Sequence, residues 1–195
     1  MRRVRYAVAV SLDGFIAGPD GEADWILIDP EIDFDAFASE FDTLLMGRRT
    51  FETMAGAGAD PGKWATRSFS GMKVVVASRT LKPGDYRGVA IVGENLQEFV
   101  TTLKAQPGKD IWLWGGGDLF RSLLQLDLVD TLEVAVIPVV LGQGIPLLPA
   151  IARPVSLTLT SHHVYAKTGT VALAYNVKPK ARPAKSKRSR NARAE

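Results

Sequence analysis

The chain has 195 residues, 46% hydrophobic and 23% charged, the size and composition of one soluble globular domain with a sizeable core. It has no cysteine, which excludes disulfides and thiolate metal sites, and no apolar run of 18 residues, which excludes a membrane-spanning helix. The formal net charge of +3 hides two parts of opposite sign: residues 178–195 carry eight Lys or Arg against one acid, Glu195, while residues 1–177 carry 16 basic and 20 acidic side chains.

The basic start Met1-Arg2-Arg3-Val4-Arg5 runs into an alternating segment that soon reaches Asp13. That is not the pattern of a signal peptide, and a cytoplasmic location is expected. Val4 to Leu12, rich in Val and Ala, reads as a buried strand. Asp13 to Asp24 holds three glycines and a proline and reads as a loop. Pro30 opens a predicted helix bearing Ile32, Phe34, Phe37, Ala38 and Phe41 near helical spacing. Thr43 to Met46 is a short strand, and Arg49 to Met54 starts a helix that Gly56 and Gly58 end. Residues 55–71 read as a Gly/Pro-rich connection. Strands follow at Met72 to Ala77 and Val89 to Val92, then a helix from Leu96 to Lys104 with Asn95 as its cap. Asp110 to Trp114 is a strand, Asp118 to Leu126 a helix, and Thr131 to Ile137 a β-branched strand. Pro138 to Pro154 is a long apolar loop. Val155 to Val164 and Thr168 to Val177 pair as an antiparallel hairpin around Ala166-Lys167-Thr168-Gly169. The alternation predicts an α/β fold over residues 1–177, with a mixed, mostly parallel sheet and this hairpin at one edge. Residues 178–195 form a basic tail with too little apolar surface to fold alone, and are expected to be disordered.

Three segments carry chemistry. Each is an apolar strand ending in small, hydroxyl or cationic residues, which is how a chain presents N–H groups and cations to phosphates. Gly47-Arg48-Arg49-Thr50 sits between strand and helix; Arg48 offers a phosphate clamp and Thr50 a hydroxyl in the first turn. The plain alternative is a helix cap with solvated arginines. Ser78-Arg79-Thr80 ends the next strand, with Arg79 as counter-charge to a 2′-phosphate, or as an ordinary turn. Gly115-Gly116-Gly117 leads into a helix beginning at Asp118 and permits close backbone approach to a ligand. It is neither a G-x-G-x-x-G fingerprint nor a P-loop. Asp24-Trp25 offers a wall for a substrate pocket. Of the acids that follow, Asp29, Glu31 and Asp33 are candidates to bind a heterocycle or supply a proton; a solvated acidic helix start explains most of them equally. His162 and His163 are adjacent in a strand and face opposite sides, so a shared metal is not expected. No catalytic triad or metal-ligand spacing is evident.

Five segments, in this order, resemble the dihydrofolate reductase-like superfamily, and more closely the reductase half of the bacterial bifunctional riboflavin-biosynthesis deaminase/reductase. They are Ala7 to Ala17, Leu45 to Glu52, Val75 to Arg79, Trp114 to Leu119, and Leu128 to Thr131-Leu132 through Ile137 to Gly144. The resemblance implies a three-layer fold with helices on both faces of the sheet, and NADPH as hydride donor. It implies Ala9 and Ile16 beside the nicotinamide. Gly47, Arg48, Thr50, Ser78 and Arg79 would hold the adenosine 2′-phosphate and pyrophosphate side. Gly115, Gly116, Gly117 and Asp118 would lie under the pyrophosphate and ribose. In riboflavin-type enzymes the substrate is a phosphoribosylamino pyrimidine, whose phosphate has no identified cation in this sequence. The deaminase motif of His-x-Glu with Pro-Cys-x-x-Cys is absent.

The expected function is therefore an NADPH-dependent reductase passing hydride to a pyrimidine-ribosyl or related heterocyclic substrate. The rival readings are dihydrofolate reductase activity and a non-catalytic nucleotide-binding protein on the same scaffold. The apolar stretch from Ile137 to Ile151 predicts a homodimer. The tail offers cations to nucleic acid, but it has no interleaved aromatic, and a solvated terminus is the preferred reading.

Overall fold

The computed structural model describes residues 1–56 and 58–178; from residue 179 onward the basic tail lies outside the described residues. The elements are β1 (Val4–Ser11), β2 (Phe15–Ala17), α1 (Phe34–Ala38), β3 (Phe41–Gly47), α2 (Arg48–Met54), α3 (Pro61–Ser68), β4 (Lys73–Ala77), β5 (Val89–Val92), α4 (Leu96–Ala105), β6 (Asp110–Gly115), α5 (Gly117–Gln125), β7 (Thr131–Ile137), β8 (Ile145–Pro146), β9 (Leu157–Tyr165) and β10 (Thr170–Val177). Eight strands form one sheet in the order β5-β4-β3-β6-β1-β7-β10-β9, and β2 and β8 form a second, two-stranded sheet. The pairs from β5 to β7 are parallel; β10 runs antiparallel to both its neighbours. This is the mixed, mostly parallel α/β sheet with a C-terminal hairpin that the sequence predicts.

Helices cover both faces, so the central strands are apolar on both sides. On one face Tyr6, Val10, Leu45, Val75, Ile111 and Leu113 pack with Val100 and Leu103 of α4 and with Phe120 and Leu123 of α5. On the other, Leu44, Met46, Val74, Val76 and Trp112 pack with Phe51 of α2, Ala65 of α3 and Phe37 of α1. At the edge the pattern ends: eight of the nine residues of β9 are exposed.

Four details differ from the sequence reading. The 55–71 connection contains α3, whose start is signalled by Asp60 and Pro61: the Asp60 carboxylate accepts from the backbone N–H groups of Gly62 and Lys63, and Pro61 needs no partner there. The helix expected from Pro30 begins only at Phe34, because Asp33 takes the capping position and accepts from the Ala36 N–H at 2.8 Å. Asn95 occupies the capping position of α4 without a side-chain capping bond. The two predicted loops at 13–24 and 138–154 pair with each other through β2 and β8. Asp13 adds a second tie between them, accepting from Ser11 Oγ and from the N–H groups of Leu141 and Gly142. Those bonds, Ser11 Oγ foremost, hold its pKa below the usual carboxylate range.

Candidate active site

A cleft of about 1340 Å³ runs along the C-terminal ends of β3, β4 and β6 and continues over β1, β7, β10 and β9. That exceeds the usual volume for a single small ligand, roughly 300–1,000 Å³.

One end is built from backbone turns. Gly47 caps α2 and Gly116 caps α5; neither helix start has a side-chain cap, and both line the cleft. The turns touch each other: a Cβ at Gly115 or Gly116 would lie 3.3 or 3.2 Å from Thr50 Oγ1. At Gly117 a Cβ would stand 2.5 Å from the Pro146 carbonyl oxygen, so only glycine lets the β8 loop close over the start of α5. Ser78 Oγ accepts from the N–H groups of Thr80 and Leu81 and holds the turn after β4, which presents Arg79 to the cleft. Arg48 is paired with Glu52 at 2.8 Å. The exposed Arg49, which the sequence reading passed over, lines the cleft beside it. Asp118 also lines the cleft, and its carboxylate pairs with Arg121 at 3.1 Å.

The other end is built from side chains. Ala9 and Ile16 line the junction between the two ends. Phe34, Phe37, Trp112 and Trp114 form an aromatic wall. Phe34 and Phe37 stand 5.8 and 5.2 Å from the Trp112 ring, and the Trp112 indole N–H donates to the Ala7 carbonyl at 3.1 Å. Glu133, on β7, reaches the cleft floor and accepts a bidentate pair of bonds from Arg5, each at 2.7 Å. Burial opposes the Arg5 charge, but Glu133 and Glu40 outweigh it and raise its pKa. The Arg5 guanidinium also lies over Phe41, 4.6 Å from the ring centre.

The three candidate acids separate. Asp29 is 0% exposed and is not part of the cleft lining. It accepts from the Glu31 N–H and from the Thr168 N–H and hydroxyl, and so pins the β9–β10 turn to the 26–33 segment. The Glu31 N–H is the leading cause of its lowered pKa; burial opposes it, and Thr168 and Lys167 add to it. Glu31 pairs with Lys167 at 3.3 Å. Asp33 alone of the three lines the cleft. Its Oδ1 caps α1, and its Oδ2 has no partner among the described residues. Trp25, expected to wall the pocket, is not part of the lining. Its indole N–H donates back to the Glu22 carbonyl, and Ile26, Leu27 and Ile28 make the wall instead. Glu133 left one signal in the sequence: an acid alternating with apolar residues in a β-branched strand. The floor left none, because it depends on the register of distant strands. Among the described residues no cluster of three His, Asp or Glu is placed to hold a metal, and no helix is long and apolar enough to cross a membrane.

Residues 2–171 match the model of the RibD C-terminal domain family. The uncharacterized protein YyaP of Bacillus subtilis strain 168 is 35% identical over 180 residues, covering 90% of this chain and 95% of YyaP. A solved structure from Shewanella sp. PV-4, a protein named for a proposed place in riboflavin biosynthesis, is 27% identical with a TM-score of 0.75 and covers 92% of this chain and 100% of that one. Two structures share the fold at lower identity. The Thermotoga maritima diaminohydroxyphosphoribosylaminopyrimidine deaminase/5-amino-6-(5-phosphoribosylamino)uracil reductase is 13% identical, with a TM-score of 0.69 over 91% of this chain and 57% of its own. Dihydrofolate reductase of Enterococcus faecalis is 20% identical, with a TM-score of 0.63 over 91% of this chain and 97% of its own.

Proposed function

Because this chain belongs to the RibD C-terminal domain family and has a dihydrofolate reductase-like fold, we propose that it is an NADPH-dependent reductase acting on a pyrimidine-ribosyl or related heterocyclic substrate. The observation that carries this reading is the division of one cleft into two chemically different ends.

The residues at the backbone-built end fit a dinucleotide. Two helix starts without a side-chain cap converge there, and Arg49 and Arg79 line it with no ion pair among the described residues. In this reading Arg79, Arg49 and Ser78 hold the 2′-phosphate side, Gly47, Arg48 and Thr50 the adjoining phosphates, and Gly115, Gly116, Gly117 and Asp118 the pyrophosphate and ribose. Ala9 and Ile16 border the nicotinamide, which supplies a hydride when bound. The aromatic wall shields the junction from water and stacks on a flat ring. Glu133, fixed by its bidentate pair with Arg5, accepts from substrate N–H groups. Asp33 has one oxygen committed to α1 and the other open to the cleft, which suits a proton donor or a second acceptor.

The four tryptophans, two of them in the cleft wall, give the test. Fluorescence titration is expected to show NADPH binding more tightly than NADH, with Arg79→Ala weakening NADPH by roughly 10- to 100-fold, the worth of one charge-assisted contact. Equal, weak binding of both nucleotides by the wild-type protein would sink the cofactor assignment. Tight NADPH binding with no turnover of pyrimidine or pterin substrates would leave a nucleotide-binding protein.

A homodimer is part of the same proposal. Val140 and Ile145 in the 137–151 stretch are 66% and 40% exposed, and Leu159 and Val164 on β9 are 50% and 59% exposed. Sedimentation showing only monomer at micromolar concentration would remove it.

A further inference from the structure

The side-chain-built end of the cleft is apolar on its floor, its wall and its rim. Ala9 of β1 pairs with Ala135 of β7, and Ala135 with Ala172 of β10. Paired residues share a face, and all three line the cleft, so the floor is a flat row of alanines. Phe37, Trp112 and Trp114 stand in the wall. The rim is made of large side chains open to solvent: Leu27, Ile28, Phe34 and Met54 all line the cleft, yet are 64%, 65%, 48% and 39% exposed.

This rim is held in place. Ile28 is followed by the buried Asp29, which the Thr168 N–H and hydroxyl fix to the β9–β10 turn. The Phe34 ring rests 5.8 Å from Trp112, and Asp33 before it caps α1. Apolar groups already positioned at a cleft mouth need little further ordering when a ligand covers them, so most of the hydrophobic gain is kept.

Charge points the same way. The arginines of the lining, Arg48, Arg49 and Arg79, all belong to the backbone-built end, and among the described residues no lysine lines the cleft. The other end offers two carboxylates, Asp33 and Glu133, and the imidazoles of His162 and His163, exposed on the outermost strand. Glu133 is met by Arg5, while Asp33 Oδ2 has no partner among the described residues. A phosphate on the substrate would therefore enter a site with two acids and no guanidinium or ammonium group to receive it.

We propose that the substrate is a heterocycle carrying an uncharged apolar substituent, aryl or branched alkyl, which covers Leu27, Ile28, Phe34 and Met54, and that it bears no phosphate. This rests on the reductase reading for the position of the reacting end at Ala9, and it narrows that reading away from a phosphoribosyl substrate.

The test is calorimetric titration with two probe pairs. 6-Aminouracil and 6-(benzylamino)uracil differ by an apolar arm; uridine and uridine 5′-monophosphate differ by a phosphate. The uracil pair is run with and without saturating NADPH, so that a protein unable to bind NADPH, which sinks the reductase reading, leaves this arm intact. The uridine pair is run with NADPH present, so that the arginines of the other end are occupied. The benzyl compound is expected to bind roughly tenfold tighter than its parent, the worth of about 60 Å² of apolar area withdrawn from water. The monophosphate is expected to bind no tighter than uridine. The double variant Leu27→Ser/Ile28→Ser is expected to close the benzyl gap; both side chains are mostly exposed, so the fold does not rest on them. No gap in the uracil pair, a gap that survives the double variant, or a monophosphate that binds tighter than uridine overturns the proposal. So does a double variant that turns a sedimenting dimer into a monomer, because the rim would then be covered by a second copy of the chain.

Discussion

The two ends of the cleft recognise ligands by different means. One presents backbone: Gly47, Gly116 and Gly117 sit at strand-to-helix turns, and their neighbours add Thr50 and Arg79. The other presents side chains on a floor assembled from β1, β7, β10 and β9, with a wall from the 26–37 segment. A turn is local in the chain, so its tolerance for change is set by steric room for a single Cβ. A floor is non-local, so its integrity depends on how well separate segments are tied together. Substitutions at the two ends should therefore fail in different ways.

Gly117→Val is the severest test of the backbone-built end. Its Cβ would lie 2.5 Å from the Pro146 carbonyl and 3.0 Å from Pro149 Cδ. Overpacking of this kind costs roughly 1–3 kcal/mol. The expected outcome is a lower melting temperature, displacement of the β8 loop and loss of NADPH binding together. A variant that melts lower but titrates normally with NADPH would break the link between this turn and the cofactor.

The arginines sharpen the same end. Arg48 is paired with Glu52, whereas Arg79 has no ion pair among the described residues. Arg48→Ala is therefore expected to weaken NADPH only a few-fold, the discount for an exposed paired charge being about 1 kcal/mol. The loss should be smaller than for Arg79→Ala in the same fluorescence titration. Equal losses would mean that Glu52 releases Arg48 when the nucleotide binds.

The contrast also explains what the sequence disclosed. The turn after each of β3, β4 and β6 announces itself within six residues, so Gly47, Ser78 and Gly115 to Gly117 are legible without a structure. Strands β5 and β7 were placed to the residue because their apolar runs are bounded by turns. The alanine floor was not legible, since no pattern in Val4 to Ser11 fixes which alanine of β7 or β10 will stand beside Ala9. Trp25 was misplaced for a related reason: a loop side chain bonds to its own backbone as readily as it fills a pocket. Asp60-Pro61 did signal α3, but the surrounding glycines concealed it.

Asp29 tests the side-chain-built end. It ties the wall segment to the β9–β10 turn from a fully buried position, with a depressed pKa. A carboxylate depressed on folding adds stability that is fully present above its unfolded pKa and is lost as pH falls through the folded value. Asp29→Asn is expected to lower the melting temperature at neutral pH, with the difference from wild type closing below about pH 4. Thermal melts across that range check it. Hydrogen exchange should rise at Thr168 while NADPH affinity holds. A parallel loss of NADPH affinity would show that the two ends are one cooperative unit.

Tyr6→Phe should have the smallest effect and serves as the control for both ends. Tyr6 is 0% exposed and packs on Phe120, with ring centres 4.1 Å apart, on the face of the sheet that α4 and α5 cover. Its hydroxyl has no hydrogen-bond partner among the described residues, and burial raises its pKa. An unsatisfied buried hydroxyl costs about 1–3 kcal/mol of desolvation, part of which is recovered when it is replaced by a hydrogen. The expected result is a melting temperature equal to or a few degrees above wild type. Because Tyr6 is not part of the cleft lining, titrations with NADPH and with pyrimidine or pterin substrates should be superimposable on wild type. A shift in either would mean that packing beneath the sheet sets the register of the floor, and the division into a local end and a non-local end would then have to be redrawn around β1.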